Sequence, residues 1–155
     1  MGNLYFVTNE SKLKVAQNCA GEVEPSTAWE ILSQDRESVL VDVRSSPELG
    51  LVGVANLSSL RKQPVFIPWK LFPNWEVNTK FSSQLEQEIG SDKNLAIFFL
   101  CKSGGRSLDA AIHMTEKGYT QCYNIIGGFE GDLDSDGHRG TINGWKKFNL
   151  PWEQR

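Results

Sequence analysis

The sequence contains few cysteines, and none is spaced for a structural crosslink. Its 155 residues include only three, Cys19, Cys101 and Cys122, with no CxxC pair among them. An odd, widely spaced set argues against a disulfide framework and against a structural zinc site. We therefore expect no metal and no cofactor, and a reducing compartment, so that the sequence favours a cytoplasmic protein.

Long apolar runs and clustered positive charges are also absent. No segment reaches the roughly 18 apolar residues that a membrane-spanning helix needs, and the amino terminus lacks the basic and apolar regions of a secretory signal. The formal net charge is -3, with no basic stripe that could neutralise phosphates. Neither a membrane nor a nucleic acid is therefore expected as a partner.

Short apolar segments alternate with segments of helical spacing along most of the chain. Strands are predicted at 39–43, 64–68, 95–100 and 121–126, and helices from 26 to 32, at 78–89, 107–117 and 144–148, with Ser26 as a possible cap of the first helix. This alternation predicts an α/β domain built on a parallel sheet. The length fits one domain, and we divide the chain into an N-terminal extension, 1–18, and a single domain, 19–155, that includes the tail 127–155.

The segment that carries the chemistry runs from Cys101 to Ser107, with the sequence CKSGGRS. It follows the most apolar predicted strand and opens a helix, and ligand sites in open α/β sheets lie beyond such strand ends. The paired glycines allow a tight turn with inward-facing N–H groups, and the helix adds the positive end of its dipole. Lys102 and Arg106 add two positive charges. These features favour a thiolate at Cys101, whereas a lone cysteine at a strand end is more often a buried core residue.

Three segments together resemble the rhodanese-like domains. VLVDVRSSPE (Val39–Glu48) is similar to the family's Asp-x-Arg motif with its following Glu, and FFLCKSGGRS (Phe98–Ser107) is similar to its active-site loop. GGFEGDLDSDGHRGTINGWKKFNLPW (Gly127–Trp152) is similar to the tail of a bacterial single-domain subgroup of sulfurtransferases. The chain departs from the family at 49–53, where a Gly-His-Ile-type turn is common. The resemblance implies a mostly parallel sheet of about five strands with helices on both faces.

The resemblance also implies roles for individual residues. Cys101 would be the catalytic nucleophile that forms a persulfide, and Asp42 and Arg44 would brace the loop region by ion pairing. The loop residues after the nucleophile would form the substrate-binding cradle: Lys102, Ser103, Gly104, Gly105, Arg106 and Ser107. The donor would be a small anion, thiosulfate ahead of mercaptopyruvate, and the acceptor would be cyanide, a thiol or a protein.

Several alternatives remain open at this point. Phosphatases and arsenate reductases use a related Cys-to-Arg cradle, but one residue longer than the spacing from Cys101 to Arg106. A rhodanese-like module could also relay sulfur between proteins without fast turnover of free thiosulfate. The segment 132–137 reproduces the opening of an EF-hand loop, although Asn143 stands where a bidentate Glu belongs. Trp69 and Trp75 could shape the donor pocket or pack in the core.

Overall fold

The computed structural model describes residues 18–155 and the backbone of a short strand at 13–14. The predicted N-terminal extension, 1–18, therefore lies almost entirely outside the described residues, and its boundary stays a prediction. No helix in the described part of the chain is long and apolar enough to cross a membrane.

The described part of the chain forms ten strands, four α-helices and one 3₁₀ turn. The strands are β1 Leu13–Lys14, β2 Gly21–Val23, β3 Val39–Asp42, β4 Val54–Ala55, β5 Val65–Phe66, β6 Lys70–Leu71, β7 Glu76–Val77, β8 Ala96–Leu100, β9 Gln121–Ile125 and β10 Trp152–Glu153. The helices are α1 Pro25–Gln34, α2 Ser46–Val52, α3 Phe81–Ile89 and α4 Gly105–Glu116, with a 3₁₀ turn at Ser58–Leu60.

The main sheet has the strand order β1-β2-β9-β8-β3-β5. Five of its strands are parallel, and only β1 runs antiparallel to its neighbour β2. Two small antiparallel pairs lie outside this sheet, β10 with β4 and β6 with β7. The prediction of a mostly parallel sheet of about five strands is confirmed.

The central strand β8 is apolar at every position, and the sheet is covered on both of its faces. All five residues of β8 are buried. Ile97 and Phe99 pack against α3 and α4 on one face, whereas Phe98 and Leu100 pack against α1 and the C-terminal tail on the other. This alternation is expected of a strand in the middle of a doubly covered sheet. Cys101 continues the β8 register toward the α4 side of the sheet.

Two local predictions are wrong. Helix α1 begins at Pro25, and its N-cap residue Glu24 makes no side-chain cap bond, so Ser26 lies inside the first turn and is not the cap. The segment 144–148 forms turns and not a helix. Two of its backbone N–H groups bond the start of the tail: Trp145 N donates to Gly128 O at 2.8 Å and Lys146 N donates to Phe129 O. Phe148 N donates to Gly144 O within the segment.

The tail packs directly against the predicted active-site loop. Phe129 N donates to Cys101 O at 2.8 Å, and Glu130 N donates to Lys102 O at 3.0 Å. Gly128 has φ +63°, and a Cβ atom there would lie 2.5 Å from Cys101 O and 2.6 Å from Lys102 O. Only glycine allows the two backbone segments to approach so closely.

We predict that Gly128→Ala costs about 2–4 kcal/mol of the free energy of unfolding, since a strained φ and an overpacked contact add together. The matched control is Gly137→Ala, because Gly137 has φ +78° but no atom within 4 Å of the added Cβ. Urea denaturation of both variants measures the difference. Equal losses in the two would show that backbone strain alone, and not the tail–loop contact, matters.

Candidate active site

Cys101 lies immediately after β8, at the carboxyl end of the central strand, and is 1% exposed. Gly104 N donates to its sulfur at 3.1 Å, and Ser107 Oγ lies 3.1 Å from the same atom. Gly104 has φ +116°, a conformation that turns its N–H toward the sulfur and that favours glycine. The loop therefore places one backbone N–H on the Cys101 sulfur and buries this residue more deeply than an open anion site would.

The remaining loop residues occupy different positions around the sulfur. Lys102, Ser103 and Arg106 are partly exposed, Gly105 is exposed at the first position of α4, and Ser107 is fully buried. The structure thus brings the predicted loop residues together, with cations on the solvent side and one hydroxyl on the core side.

A cavity of about 510 Å³ opens beside the loop. Its lining combines three cationic side chains with two acidic and two apolar ones: Lys70, Lys102, Arg106, Glu48, Glu130, Val52 and Trp75. Trp75 is 45% exposed and its ring lies 5.2 Å from the Arg106 guanidinium. Trp69, in contrast, is a core residue that packs edge-on against Phe81. Only one of the two tryptophans considered from the sequence therefore borders the site.

Arg106 is held by Glu48 of α2. The two side chains form a bidentate ion pair, with NH1–Oε1 at 2.7 Å and NH2–Oε2 at 2.9 Å. Burial raises the pKa of Glu48, but hydrogen bonds from Arg106 and Ser45 and the charge of Arg106 outweigh it and lower the pKa to about 2. Burial lowers the pKa of Arg106, whereas Glu48 and negative charge at Cys101 raise it, and the net direction is upward. The family resemblance placed Arg106 in the substrate-binding cradle but did not identify this partner.

Asp42 and Arg44 form a second, fully buried ion pair. Arg44 donates to both Asp42 oxygens, at 2.9 and 2.6 Å, and also to Gly53 O at 2.9 Å. Its guanidinium lies 4.3 Å from the centre of the Phe129 ring. The pair therefore contacts the end of α2 and the start of the tail. The support that Asp42 and Arg44 were expected to give the Cys101 loop would act through these two segments.

Two polar residues behind Cys101 were missed from the sequence, the buried Asn124 and the partly buried Glu22. Asn124 of β9 accepts from Ser107 and donates to Glu22 of β2, which is its register partner in the sheet. Glu22 and Asn124 are 102 residues apart in the chain. The position of Asn124 inside the predicted apolar strand 121–126 was the only available signal, because a polar residue in a buried strand needs a partner. No strand was predicted around Glu22.

The EF-hand-like segment is a closed turn. Asp134 accepts hydrogen bonds from Asp136 N, His138 N and Thr141 Oγ1. Asn143 accepts from Asp132 N and donates to the Asp132 carboxylate. Protein groups thus bond the side-chain oxygen atoms of Asp132, Asp134 and Asn143. Within residues 18–155, no cluster of three or more His, Cys, Asp or Glu side chains could hold a metal ion.

The chain has extended similarity to known proteins. Residues 21–155 match the protein family described as STR4 middle domain. The crystal structure of Rv0390 from M. tuberculosis is 42% identical, with a TM-score of 0.79, over 86% of this chain and 97% of that one. A Rickettsia rickettsii relative, an RP600 homolog, is 37% identical over 81% of this chain and 91% of its own length. Thiosulfate sulfurtransferase GlpE of Glaesserella parasuis is 27% identical over 74% of this chain and 88% of its own length.

The Glu48–Arg106 pair predicts a specific pH dependence of stability. A carboxylate with a depressed pKa stabilises the fold above its ordinary pKa of 4.5, and this contribution is lost as the pH falls through 4.5 toward 2. Because the Glu48 side chain is 18% exposed, we expect Glu48→Gln to cost about 1–2 kcal/mol at pH 7 and less below pH 3. Urea denaturation across this pH range measures the effect. Glu88→Gln, on the exposed side of α3, is the control, and equal pH profiles for the two variants would contradict the assignment.

Proposed function

The chain belongs to the STR4 middle-domain family and has the rhodanese-like fold, and on this premise we propose that it is a sulfurtransferase that carries sulfur as a persulfide on Cys101. One observation carries the proposal. The sulfur of Cys101 lies at the carboxyl end of the central strand, receives a loop N–H at 3.1 Å, and neighbours a cavity with three cationic side chains. Its sulfur-transfer relatives support the same chemistry at the level of the family.

In the first half-reaction, the Cys101 thiolate attacks the outer sulfur of thiosulfate. A new S–S bond forms, the S–S bond of thiosulfate breaks, and sulfite leaves with the bonding electron pair. In the second half-reaction, cyanide or a thiolate attacks the terminal sulfur of the persulfide and releases the Cys101 thiolate. No cofactor is needed, because each step exchanges one nucleophile for another at sulfur.

The low exposure of Cys101 supports a small or narrow reacting group. Because Cys101 is only 1% exposed, a reacting atom at the end of a slim group suits the site better than a bulky group. The outer sulfur of thiosulfate, cyanide and a thiol are such groups. The loop N–H groups and the amino end of α4 would favour a negative charge on the outer sulfur of the persulfide. A reducing, cytoplasmic setting suits a thiol that must return to its free form after each cycle.

The charges around the cavity support an anionic donor. Because Glu48 binds Arg106 in a bidentate manner, that guanidinium acts on the site mainly through its electrostatic field. Lys70 and Lys102 form no ion pair among the described residues and face one remaining acidic side chain, Glu130. We therefore propose that the two lysines supply most of the attraction for the donor, with Ser103, Gly104 and Gly105 shaping the turn.

A second candidate is sulfur relay between proteins. The hairpin of β6 and β7, next to the cavity, exposes Leu71, Phe72, Trp75 and Val77 to 42–61%. Exposed apolar side chains at the mouth of a site suit contact with a protein partner. The phosphatase alternative is less well supported, since the guanidinium that would bind a phosphate is committed to Glu48.

We predict that the protein gains the mass of one sulfur atom when it is incubated with thiosulfate, and that Cys101→Ser does not. Intact mass spectrometry measures the adduct, and Cys122→Ser is the control, because burial raises the pKa of the Cys122 thiol to about 12. An adduct on Cys101→Ser, or none on the parent, would contradict the proposed chemistry. An adduct that forms only from a persulfidated protein would instead support the relay.

We also predict that Lys70→Gln and Lys102→Gln each raise the KM for thiosulfate by about three- to tenfold and change kcat less. The reason is that attraction between a partly exposed lysine and an anionic donor contributes about 1 kcal/mol to binding. Lys117→Gln is the control, at the far end of the 12-residue helix α4 from the loop. Steady-state kinetics at low ionic strength measures the effect. A KM that changes equally in all three variants would remove the specific role of the cavity lysines.

A further inference from the structure

A chain of hydrogen bonds runs from the nucleophile to an acidic side chain across two neighbouring strands. Ser107 Oγ lies 3.1 Å from Cys101 Sγ and 2.5 Å from Asn124 Oδ1. Asn124 Nδ2 in turn lies 2.9 Å from Glu22 Oε1 and 3.1 Å from Gly104 O. Cys101, Ser107 and Asn124 are all at most 1% exposed, so water cannot replace these partners.

The orientation of the Asn124 amide is fixed by its neighbours. The Glu22 carboxylate and the Gly104 carbonyl are both acceptors only, and each takes a hydrogen from Asn124 Nδ2. A reversed amide would bring its oxygen against two other oxygens. The amide oxygen of Asn124 is therefore the atom that faces Ser107.

This orientation determines where the single hydroxyl hydrogen of Ser107 points. Asn124 Oδ1 can only accept, so Ser107 donates its hydrogen to Asn124 over the short 2.5 Å contact. The Ser107 oxygen then turns its lone pairs toward Cys101 Sγ. A neutral thiol can donate its S–H to that oxygen, whereas a thiolate would meet the lone pairs unfavourably.

We propose that Glu22 and Asn124 are positioning residues that orient the Ser107 hydroxyl away from Cys101, so that negative charge on the inner sulfur is disfavoured. This inference rests on the proposed function. When the persulfide forms, its charge lies on the outer sulfur, and the inner sulfur beside Ser107 becomes neutral. The hydrogen-bond chain thus favours the sulfur-loaded form of Cys101 over the free thiolate.

Other charged groups also act on this position. Lys102 and Arg106 belong to the loop itself, and Gly104 N donates to the sulfur. The Asp42–Arg44 pair lies at the end of β3, Glu48 on α2 and Glu130 on the tail. Substitution of Asn124 leaves these charged groups in place but also removes its hydrogen bond to Gly104 O. A change in Cys101 reactivity is therefore assigned to the Ser107 hydroxyl by comparison with a Ser107→Ala background.

The experiment uses Asn124→Ala, which frees the Ser107 hydroxyl to donate to the thiolate. A hydrogen bond to a charged group is strong enough for about a tenfold effect. We expect iodoacetamide to modify Cys101 about tenfold faster at pH 6, with the pH of half-maximal rate displaced downward. At a fixed ratio of thiosulfate to sulfite, we expect the ratio of persulfide to free thiol to fall by about tenfold. Mass spectrometry of the peptide that contains Cys101 measures both.

A double variant separates orientation from general loosening of the site. In a Ser107→Ala background, Asn124→Ala should leave the alkylation profile unchanged, because no hydroxyl remains to be redirected. An equal shift in both backgrounds, or no shift in a folded Asn124→Ala protein, would overturn the proposal. Ser38→Ala is the control. It removes another buried hydroxyl, which donates to Asp35 O before β3, and should leave the alkylation profile of Cys101 unchanged.

Glu22→Gln provides a second test that keeps the shape of the side chain. Glutamine can donate to Asn124, which weakens the constraint on its amide, so we expect a shift of the alkylation profile in the same direction but smaller. If Asn124→Ala does not fold, the test rests on Glu22→Gln. An unchanged alkylation profile in Glu22→Gln would then overturn the proposal. Alkylation requires no sulfur donor. A shifted profile without any persulfide would therefore contradict the proposed function and leave the hydrogen-bond orientation intact.

Discussion

The loop around Cys101 depends on the backbone pairing between its carbonyl groups and the tail. Cys101 O and Lys102 O accept hydrogen bonds from the N–H groups of Phe129, Glu130 and Gly131. Because the tail satisfies these carbonyl groups, the loop can turn the Gly104 N–H toward the sulfur without leaving these acceptors unpaired. The tail is thus an integral part of the site, and Gly128 permits the close approach on which the pairing rests.

Helix α2 is held at both ends by arginine side chains from elsewhere in the domain. Glu48 in its first turn binds Arg106 of the loop, and Gly53 at its C-cap accepts from Arg44 of the β3 end. A seven-residue helix with no buried side chain of its own has little apolar packing to fix its position. The ion pair at one end and the hydrogen bond at the other replace that packing, and they fix the cavity wall that carries Glu48 and Val52 relative to the loop.

The sequence predicted the buried framework well and the polar connections poorly. The apolar runs of β3, β8 and β9 identified the strands, and α4 starts at Gly105, two residues before the predicted start. Helix α2 was missed although Ser45 and Glu48 have the S-x-x-E spacing of a capping box, which the structure contains. The hairpin at 70–77 has no alternating pattern to reveal it. The contacts of Asn124 with Glu22 and of Arg106 with Glu48 join residues 102 and 58 positions apart, and no local spacing encodes such a pairing.

Two hydrogen-bonding groups act on the Cys101 sulfur in opposite directions. The Gly104 N–H favours negative charge there, and the Ser107 oxygen, as Asn124 orients it, opposes that charge. A site made only to generate a thiolate would have both groups donate to the sulfur. In a site that must also hold a sulfur atom, the unfavourable Ser107 contact favours the persulfide over the free thiolate. Adding the second sulfur moves the negative charge away from Ser107 toward the open side of the loop. In the proposed sulfurtransferase, Glu22 of β2 and Asn124 of β9 would therefore influence how long sulfur stays bound, whereas the lysines at the cavity would influence how a donor arrives.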